Sequence, residues 1–308
     1  MGQERRAILL ESGIAPSMTH PLWAPLITPF RRDQSVDFAA LQHNMERYDQ
    51  TSLDGYLVNG SSGEAEMLSL REREEILRFV CGATSKRILA GIVASSVHDA
   101  ADQVQALEDL ELEAVLVRTP SYYGRQLDQI AFFSELAERS PHPVMIYQIP
   151  QYTGIRVSGE ELFTLSQHPN IVGIKDSFGD LAMINEKTWP ADFRYYLGAS
   201  ALIQPGVAAG AKGGILALAN VVPELCRELL LLSADPERGS EARRLQQRLI
   251  PLNSLLGGSK GYGLAGLKAA CEIVGFEAGD PRRPLRAISK AQRETLAKAI
   301  AKLVQAGD

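Results

Sequence analysis

A lysine, Lys175, ends one of the short apolar runs of the sequence, in the segment Ile171-Val-Gly-Ile-Lys175-Asp-Ser177. Apolar runs of this length predict buried strands, and the two-residue period of a strand puts Lys175 on the same side as Gly173 and Ile171. If that side faces the protein interior, desolvation disfavours the ammonium and lowers the pKa of the lysine. A neutral amine attacks ketones, so the segment predicts imine (Schiff base) chemistry. The alternative is a lysine that ends a strand and extends into solvent.

Tyr147 ends another apolar run, Val144-Met-Ile-Tyr147, 28 residues before Lys175. This separation is about one strand–helix repeat, and neighbouring parallel strands lie about 4.8 Å apart. A phenol beside the amine would transfer the protons that imine chemistry requires. Taken alone, Tyr147 has a simpler explanation, an amphipathic residue with its hydroxyl in water.

A third segment with chemical potential is Gly60-Ser61-Ser62-Gly63-Glu64, which follows an apolar run. Its two glycines allow a tight turn, in which consecutive backbone N–H groups form an anion-binding concavity and two hydroxyls add donors. The segment therefore predicts a site for a substrate carboxylate. Gly/Ser turns before helices are also common as simple helix caps, and that alternative stays open.

The elements that would position these residues alternate between short apolar runs and amphipathic stretches, a pattern typical of repeated βα units. Helix-start signals lie between the runs, such as Asp37 before Phe38 and the capping box of Ser69 with Glu72. Eight strands are predicted: Trp23–Thr28, Gly55–Asn59, Arg87–Ile92, Ala114–Arg118, Val144–Tyr147, Val172–Lys175, Tyr195–Gly198 and Gly214–Leu218.

Eight such units favour an α/β fold of the (β/α)₈ TIM barrel type, which takes about 250 residues. We expect the barrel to span residues 20–233, after an N-terminal tail of residues 1–19. A doubly wound open sheet is the structural alternative, but no GxGxxG opens the first helix. Residues 234–308 form a predicted C-terminal helical region that packs on the barrel, with helices at Glu241–Leu249, Gly263–Val274 and Gln292–Leu303.

Composition excludes several classes of function. The net charge is −5 with both signs interspersed, so no basic stripe is present for nucleic acid. Cys81, Cys226 and Cys271 follow no metal-ligand spacing, which favours buried free thiols in a reducing cytosol. No apolar run approaches the roughly 18 residues of a membrane helix, and the N-terminus has no signal-peptide pattern. We therefore expect a soluble, cytoplasmic protein without nucleic-acid or membrane partners.

Taken together, these segments resemble the dihydrodipicolinate synthase and N-acetylneuraminate lyase superfamily of class I aldolases. Within it the chain is most similar to the 4-hydroxy-2-oxoglutarate aldolases, through Leu165-Ser-Gln-His-Pro-Asn-Ile-Val-Gly173, Ala217-Leu-Ala-Asn220 and Gly266-Leu-Lys268. The matching segments span most of the chain: Thr28-Pro-Phe30, Asp54-Gly55, Gly60-Ser-Ser-Gly-Glu64, Leu68 to Arg73, Ala90-Gly91, Thr119-Pro-Ser-Tyr-Tyr123, Tyr147-Gln-Ile-Pro150, Thr153-Gly154, Gly173-Ile-Lys-Asp176 and Gly213 to Asn220.

The resemblance implies a (β/α)₈ barrel assembled as a homotetramer, with no metal or organic cofactor, that acts on pyruvate and an aldehyde. It implies that Lys175 is the Schiff-base lysine and Tyr147 the proton-relay phenol. Ser61 and Ser62 would bind the pyruvyl carboxylate and join the relay. The remaining implied site residues are Tyr123, which closes the relay in many members from a neighbouring subunit, and Ser177 and Gly198, which line the pocket for the aldehyde.

The sequence departs from the dihydrodipicolinate synthases at two places. Those enzymes carry an arginine just after the Tyr-x-x-Pro motif that binds the carboxylate of aspartate semialdehyde, whereas this chain has Gln151-Tyr152-Thr153 there. Arg156 lies nearby as a possible substitute. The serine pair replaces two threonines, so the hydroxyls are kept and the methyl packing is lost. These departures argue against lysine biosynthesis.

The resulting hypothesis is cleavage of 4-hydroxy-2-oxoglutarate to pyruvate and glyoxylate, or a related pyruvate aldol reaction. Dihydrodipicolinate synthase and a sugar-acid (2-keto-3-deoxy) aldolase or dehydratase of the same superfamily stay as alternatives. A metal-dependent aldolase would need clustered His, Asp or Glu ligands, but the five histidines are scattered. A small-molecule-binding barrel without catalysis is the alternative outside enzymes.

Overall fold

The computed structural model describes residues 20–257 and 261–305, so the predicted tail of residues 1–19 lies outside the described residues. Eight parallel strands close into a barrel in chain order, with β1 paired to β8. The strands are β1 Leu22–Pro25, β2 Gly55–Val58, β3 Arg87–Ile92, β4 Ala114–Arg118, β5 Val144–Gln148, β6 Ile171–Asp176, β7 Arg194–Leu197 and β8 Gly213–Ile215.

Helices alternate with the strands, and others follow the eighth strand. Between the strands lie α1 Phe38–Asp49, α2 Leu70–Ala83, α3 Val97–Gln105, α4 Gln129–Arg139, α5 Pro150–Thr153, α6 Gly159–Ser166, α7 Leu181–Glu186 and α8 Ile203–Ala208. After β8 come α9 Pro223–Ala234, α10 Gly239–Leu256, α11 Gly263–Ile273 and α12 Lys290–Gln305.

The predicted fold class is confirmed as a (β/α)₈ barrel with a C-terminal helical region. The third and fourth strands have the predicted bounds, and the other six differ at one or both ends. The predicted helix starts are also correct: Asp37 accepts from the Ala40 amide, and Ser69 and Glu72 form a reciprocal capping box. Helix α10 is longer than predicted, because Pro251 lies inside it without ending it.

Two apolar clusters hold the barrel together. The larger one lies between the strands and the surrounding helices. The smaller one fills the barrel interior with alternate strand residues, so that the interior is a packed core and not a channel. Its buried members are Trp23, Leu57, Leu89, Ala114, Leu116, Met145, Tyr147, Ile149, Tyr196 and Ile215. Side chains at the carboxyl ends of the strands therefore lie directly above this apolar core.

The expectation of buried free cysteines is met in part. All three cysteines are free; Cys226 and Cys271 are buried as predicted, whereas Cys81 is only half-buried. In the described ranges, no helix is both long enough and apolar enough to cross a membrane.

A buried ion pair joins the C-terminal helices to the loop after β2. Lys268 of α11 donates from Nζ to Glu64 Oε1 at 2.8 Å, with the two side chains only 1% and 0% exposed. The same ammonium donates to the carbonyl oxygens of Thr28 at 2.9 Å and Asp280 at 3.1 Å. The second oxygen of Glu64 accepts from the Arg282 amide at 2.8 Å. Glu64 thus fixes the end of the Gly60–Glu64 turn against the C-terminal region.

We predict that Lys268→Met lowers the free energy of unfolding by about 3–5 kcal/mol, because it leaves the Glu64 carboxylate buried without its cation. Chemical denaturation followed by circular dichroism measures the change. The double variant Glu64→Gln, Lys268→Met should regain part of the loss, since no buried charge remains. Arg238→Ala, which removes a half-exposed pair with Glu241, is the control and should cost at most about 1 kcal/mol. A loss for Lys268→Met no larger than the control's would contradict the assignment.

Candidate active site

Lys175 and Tyr147 lie side by side at the carboxyl ends of β6 and β5. The two strands pair with Tyr147 opposite Lys175, and both side chains are buried. Lys175 Nζ lies 4.4 Å from the centroid of the Tyr147 ring. The sequence-based expectation that these two residues face one another at the barrel mouth agrees with this geometry.

The amine of Lys175 is desolvated. Its side chain is 4% exposed, and burial lowers its pKa to about 7. At neutral pH roughly half of such amines are unprotonated, whereas an ordinary lysine with a pKa of about 10.4 has fewer than about one in a thousand in that form. The residue therefore has the nucleophilic form that attack on a carbonyl requires.

The Tyr147 hydroxyl lies between two serine side chains. Burial raises the pKa of Tyr147, and hydrogen bonds with Ser61 and Ser177 act in the opposite direction. The phenol therefore stays protonated at neutral pH while its oxygen is linked to two further hydroxyls. Such a chain of hydroxyl groups beside an amine is able to exchange protons with a bound molecule.

Gly198 follows β7 and lies against Ser177. A Cβ atom at position 198 would lie 2.1 Å from Ser177 Oγ, so any side chain there would displace the serine. The Gly198 amide also donates to the Asp176 carbonyl at 2.6 Å. Gly198 thus packs against Ser177, one of the two serines that hydrogen-bond with the phenol.

The serine turn keeps part of its amide donors open. The amides of Gly63 and Glu64 donate within the turn to the carbonyls of Gly60 and Ser61. The amides of Ser61 and Ser62 make no such bond with any residue that the structure describes. Thr28 Oγ1 donates to the Gly63 carbonyl at 2.6 Å and fixes the turn to the loop after β1. The free amides and the hydroxyls are suited to a carboxylate.

Asp176 is a positioning residue that sequence reasoning passed over. Its buried carboxylate accepts from the Tyr195 hydroxyl at 2.7 Å and from Gln148 Nε2 at 3.1 Å. It also accepts from the amides of residues 178–180, at 2.8 to 3.1 Å. These bonds fix the loop that carries Ser177. An Asp directly before Ser-Phe-Gly is a turn signal that would have indicated this role.

Tyr123 is not part of this cluster within the single chain. It is 64% exposed, and its ring contacts the neighbouring Tyr122 at a centroid distance of 5.2 Å. Its role in the relay, which the family resemblance assigns to a neighbouring subunit, stays a prediction.

Arg156, the candidate substitute for the missing arginine, is already engaged. It forms an ion pair with Asp180 and lies 4.1 Å above the Phe178 ring. The segment directly after β5 forms the short helix α5, in which Gln151 donates to the Ser177 carbonyl at 3.3 Å. Neither feature leaves a free guanidinium at this position.

No three His, Cys, Asp or Glu side chains come together as a metal-ligand set within residues 20–257 and 261–305. The arrangement that the chain does present is a desolvated amine, a phenol and a group of hydroxyl and amide donors.

The closed barrel holds a buried amine of lowered pKa at a strand end, which is the arrangement that Schiff-base chemistry requires. The chain belongs to the dihydrodipicolinate synthetase family, which it matches over residues 18–303. That membership agrees with the superfamily resemblance drawn from the sequence.

Known relatives are similar over nearly their full length. The chain is 32% identical over 275 residues to 4-hydroxy-tetrahydrodipicolinate synthase 1 of Streptomyces coelicolor, covering 88% of this chain and 89% of that one. The crystal structure of DHDPS from Cyanidioschyzon merolae with lysine bound has a TM-score of 0.86 at 26% identity, over 93% and 99% of the two chains. A variant of 2-keto-3-deoxygluconate aldolase from Sulfolobus solfataricus, at 23% identity and a TM-score of 0.83 over 93% and 97%, shares the fold.

The lowered pKa of Lys175 predicts a pH-dependent stability difference between the wild type and Lys175→Met. The folded-state pKa of about 7 lies below the unfolded value of about 10.4, so the unfolded chain binds more protons between these pH values. Stability of the wild type therefore rises with pH in that window relative to the variant. We expect the advantage of Lys175→Met in unfolding free energy to shrink by roughly 2 kcal/mol from pH 7 to pH 9. Parallel denaturation curves measure it; a constant difference would mean an unperturbed lysine.

Proposed function

We propose that the protein is a class I aldolase that forms or cleaves a carbon–carbon bond between pyruvate and an aldehyde through an imine on Lys175. The observation that carries this proposal is the register of β5 and β6, which sets a desolvated amine beside a buried phenol. Membership of the dihydrodipicolinate synthetase family supports it.

Imine formation needs a neutral amine and a supply of protons. Lys175 Nζ attacks the C2 carbonyl of a 2-oxo acid, and the carbinolamine then loses water to give the iminium. Tyr147, linked to Ser61 and Ser177, transfers the protons of these steps. The C1 carboxylate is bound by the hydroxyls and open amides of Ser61 and Ser62.

In the cleavage direction the iminium accepts the electron pair of the breaking bond. Tyr147, having given its proton to the water that leaves the carbinolamine, takes the proton of the C4 hydroxyl as the C3–C4 bond breaks, and the aldehyde leaves. The enamine that remains is protonated at C3, and hydrolysis of the imine releases pyruvate and the free lysine. Condensation follows the same steps in reverse.

Two acceptor aldehydes are supported by different observations. The segment after β5 has no free arginine, and the similarity to the 4-hydroxy-2-oxoglutarate aldolases favours glyoxylate. The relatives that carry the name 4-hydroxy-tetrahydrodipicolinate synthase favour that reaction as the second candidate, with aspartate semialdehyde as the acceptor. The named relatives back the synthase reaction better than cleavage of 4-hydroxy-2-oxoglutarate. The observation that favours glyoxylate is the ion pair of Arg156 with Asp180.

We further propose that the protein acts as a cytoplasmic homotetramer. The exposed ring of Tyr123 supports this, because the family resemblance brings that residue into a neighbouring subunit's relay. Light scattering coupled to gel filtration gives the mass of the assembly.

Reduction with borohydride in the presence of pyruvate should add one pyruvyl group per chain, and Lys175→Ala should show none. Intact-protein mass measures the adduct, and peptide mapping locates it. The same wild-type sample is then assayed for pyruvate release from 4-hydroxy-2-oxoglutarate and for condensation with aspartate semialdehyde. The absence of an adduct in the wild type would overturn the aldolase assignment and favour a binding barrel.

Tyr147→Phe should lower kcat for aldol cleavage by about 10²–10⁴, because it removes the proton carrier but keeps the ring beside Lys175. Pyruvate consumption coupled to lactate dehydrogenase measures the rate. Tyr152→Phe, at an exposed tyrosine five residues later, is the matched control and should keep the wild-type rate. Equal rates for both variants would exclude Tyr147 from the relay.

A further inference from the structure

Arg118 is a charged residue in line with the catalytic pair. It ends β4, and the register of β4 and β5 sets it opposite Tyr147, which in turn is opposite Lys175. Ala114 and Leu116, two and one strand periods earlier, belong to the core of the barrel interior. The two-residue period therefore puts Arg118 on the interior side, one layer above Leu116.

The guanidinium of Arg118 has unused donors. Its side chain is 17% exposed, and Nη1 donates only over long distances, to the Thr119 carbonyl at 3.3 Å and to Ser121 Oγ at 3.4 Å. Nε lies 2.8 Å from Glu66 Oε1 but makes no hydrogen bond, although it is buried. Nη2 has no hydrogen-bond partner among the described residues. An arginine has five N–H donors in a rigid fork, so most of this capacity is open.

Arg118 lines a cavity together with Tyr147 and the serine turn. Leu116 and Glu66 line the same cavity, so the carboxylate that pairs with Arg118 also faces it. Glu66 is 53% exposed, so its attraction for Arg118 is weakened by solvent. A ligand carboxylate inside the cavity would meet the same guanidinium with less water around it and is expected to form the stronger, charge-assisted contact.

We propose that Arg118 binds the carboxylate of the aldehyde half of the substrate and makes the enzyme selective for aldehydes that carry one. The inference rests on the proposed function, because it takes Lys175 as the attachment point of pyruvate. Two strand spacings, roughly 9.6 Å, separate Arg118 from Lys175 in the barrel wall. From C2 of a five-carbon 2-oxo diacid to its far carboxylate oxygen is about 5 Å, and a hydrogen bond adds about 2.9 Å. The side chains of Lys175 and Arg118, which both extend from the strands into the barrel mouth, supply the rest of the distance.

This placement provides a cation for the acceptor carboxylate although no arginine directly follows β5. The carboxylate contact comes from the end of β4, on the other side of Tyr147, and Arg156 stays in its pair with Asp180. The acceptor then approaches the enamine between Arg118 and the serine turn. A neutral sugar aldehyde would leave the guanidinium unpaired, which disfavours it.

The test compares two aldehydes of the same carbon count, glyoxylate with its carboxylate and glycolaldehyde with a neutral hydroxymethyl group, in condensation with pyruvate. For Arg118→Gln we expect kcat/KM with glyoxylate to fall about 10- to 100-fold, mainly through KM, and kcat/KM with glycolaldehyde to change by less than about threefold. Arg118→Lys keeps the charge but loses the fork, and its glyoxylate preference should lie between those of wild type and Arg118→Gln.

Glu66→Gln is the second variant, since it removes the competing carboxylate and keeps the shape. It should lower KM for glyoxylate and leave that for glycolaldehyde unchanged. An equal fall with both aldehydes in Arg118→Gln, or no preference of the wild type for glyoxylate or aspartate semialdehyde over glycolaldehyde, would overturn the assignment. The pyruvate adduct separates this failure from that of the proposed function: a wild type that forms the adduct without a carboxylate preference keeps Lys175 and loses only Arg118.

Discussion

The exclusion of water from the amine of Lys175 is the constraint on which the rest of the site depends. Burial disfavours the ammonium form of Lys175, so the pKa of this residue falls to about 7 and part of the amine is unprotonated near neutral pH. That state requires an apolar layer beneath it, which the closed barrel provides through Leu116, Met145 and the other interior residues. It also requires that the groups next to the amine bind substrate without carrying a charge of their own. The hydroxyls and backbone amides of the loops meet this requirement.

The fold and the centre of the site were predictable from the sequence because both depend on short-range patterns. The two-residue strand period and the regular alternation of strands and helices locate Lys175 and Tyr147 at neighbouring strand ends. Contacts between distant parts of the chain carry no such signal. Lys268 and Glu64 are 204 positions apart, and the predicted role of Tyr123 involves another chain. Arg118 ends a strand as Lys175 does, so the same alternation argument would have found it.

Acceptor choice and imine chemistry are separable in this architecture. In the proposed mechanism the amine, the phenol and the serine turn act on the C1 carboxylate, on C2 and on the C4 hydroxyl, which all 4-hydroxy-2-oxo acids share. In the proposal, selectivity depends on which strand end supplies a cation to the carboxylate at the far end of the substrate. In this chain the loop after β5 holds its arginine in an ion pair with Asp180, while β4 ends in an arginine with open donors. Relatives of one family can therefore differ in acceptor while their central chemistry stays the same.

The ion pair of Lys268 with Glu64 has a consequence for how such barrels diversify. The turn proposed to bind a carboxylate is built from residues next to β2, yet its last residue, Glu64, is held by a lysine from a helix beyond the eighth strand. The barrel and its C-terminal region are accordingly not exchangeable modules. A recombination event that joined this barrel to the helices of another family member would preserve the active site only if the incoming segment also brought a lysine to the same depth. The barrel and the C-terminal region are therefore expected to be inherited together, because Lys268 of one pairs with Glu64 of the other.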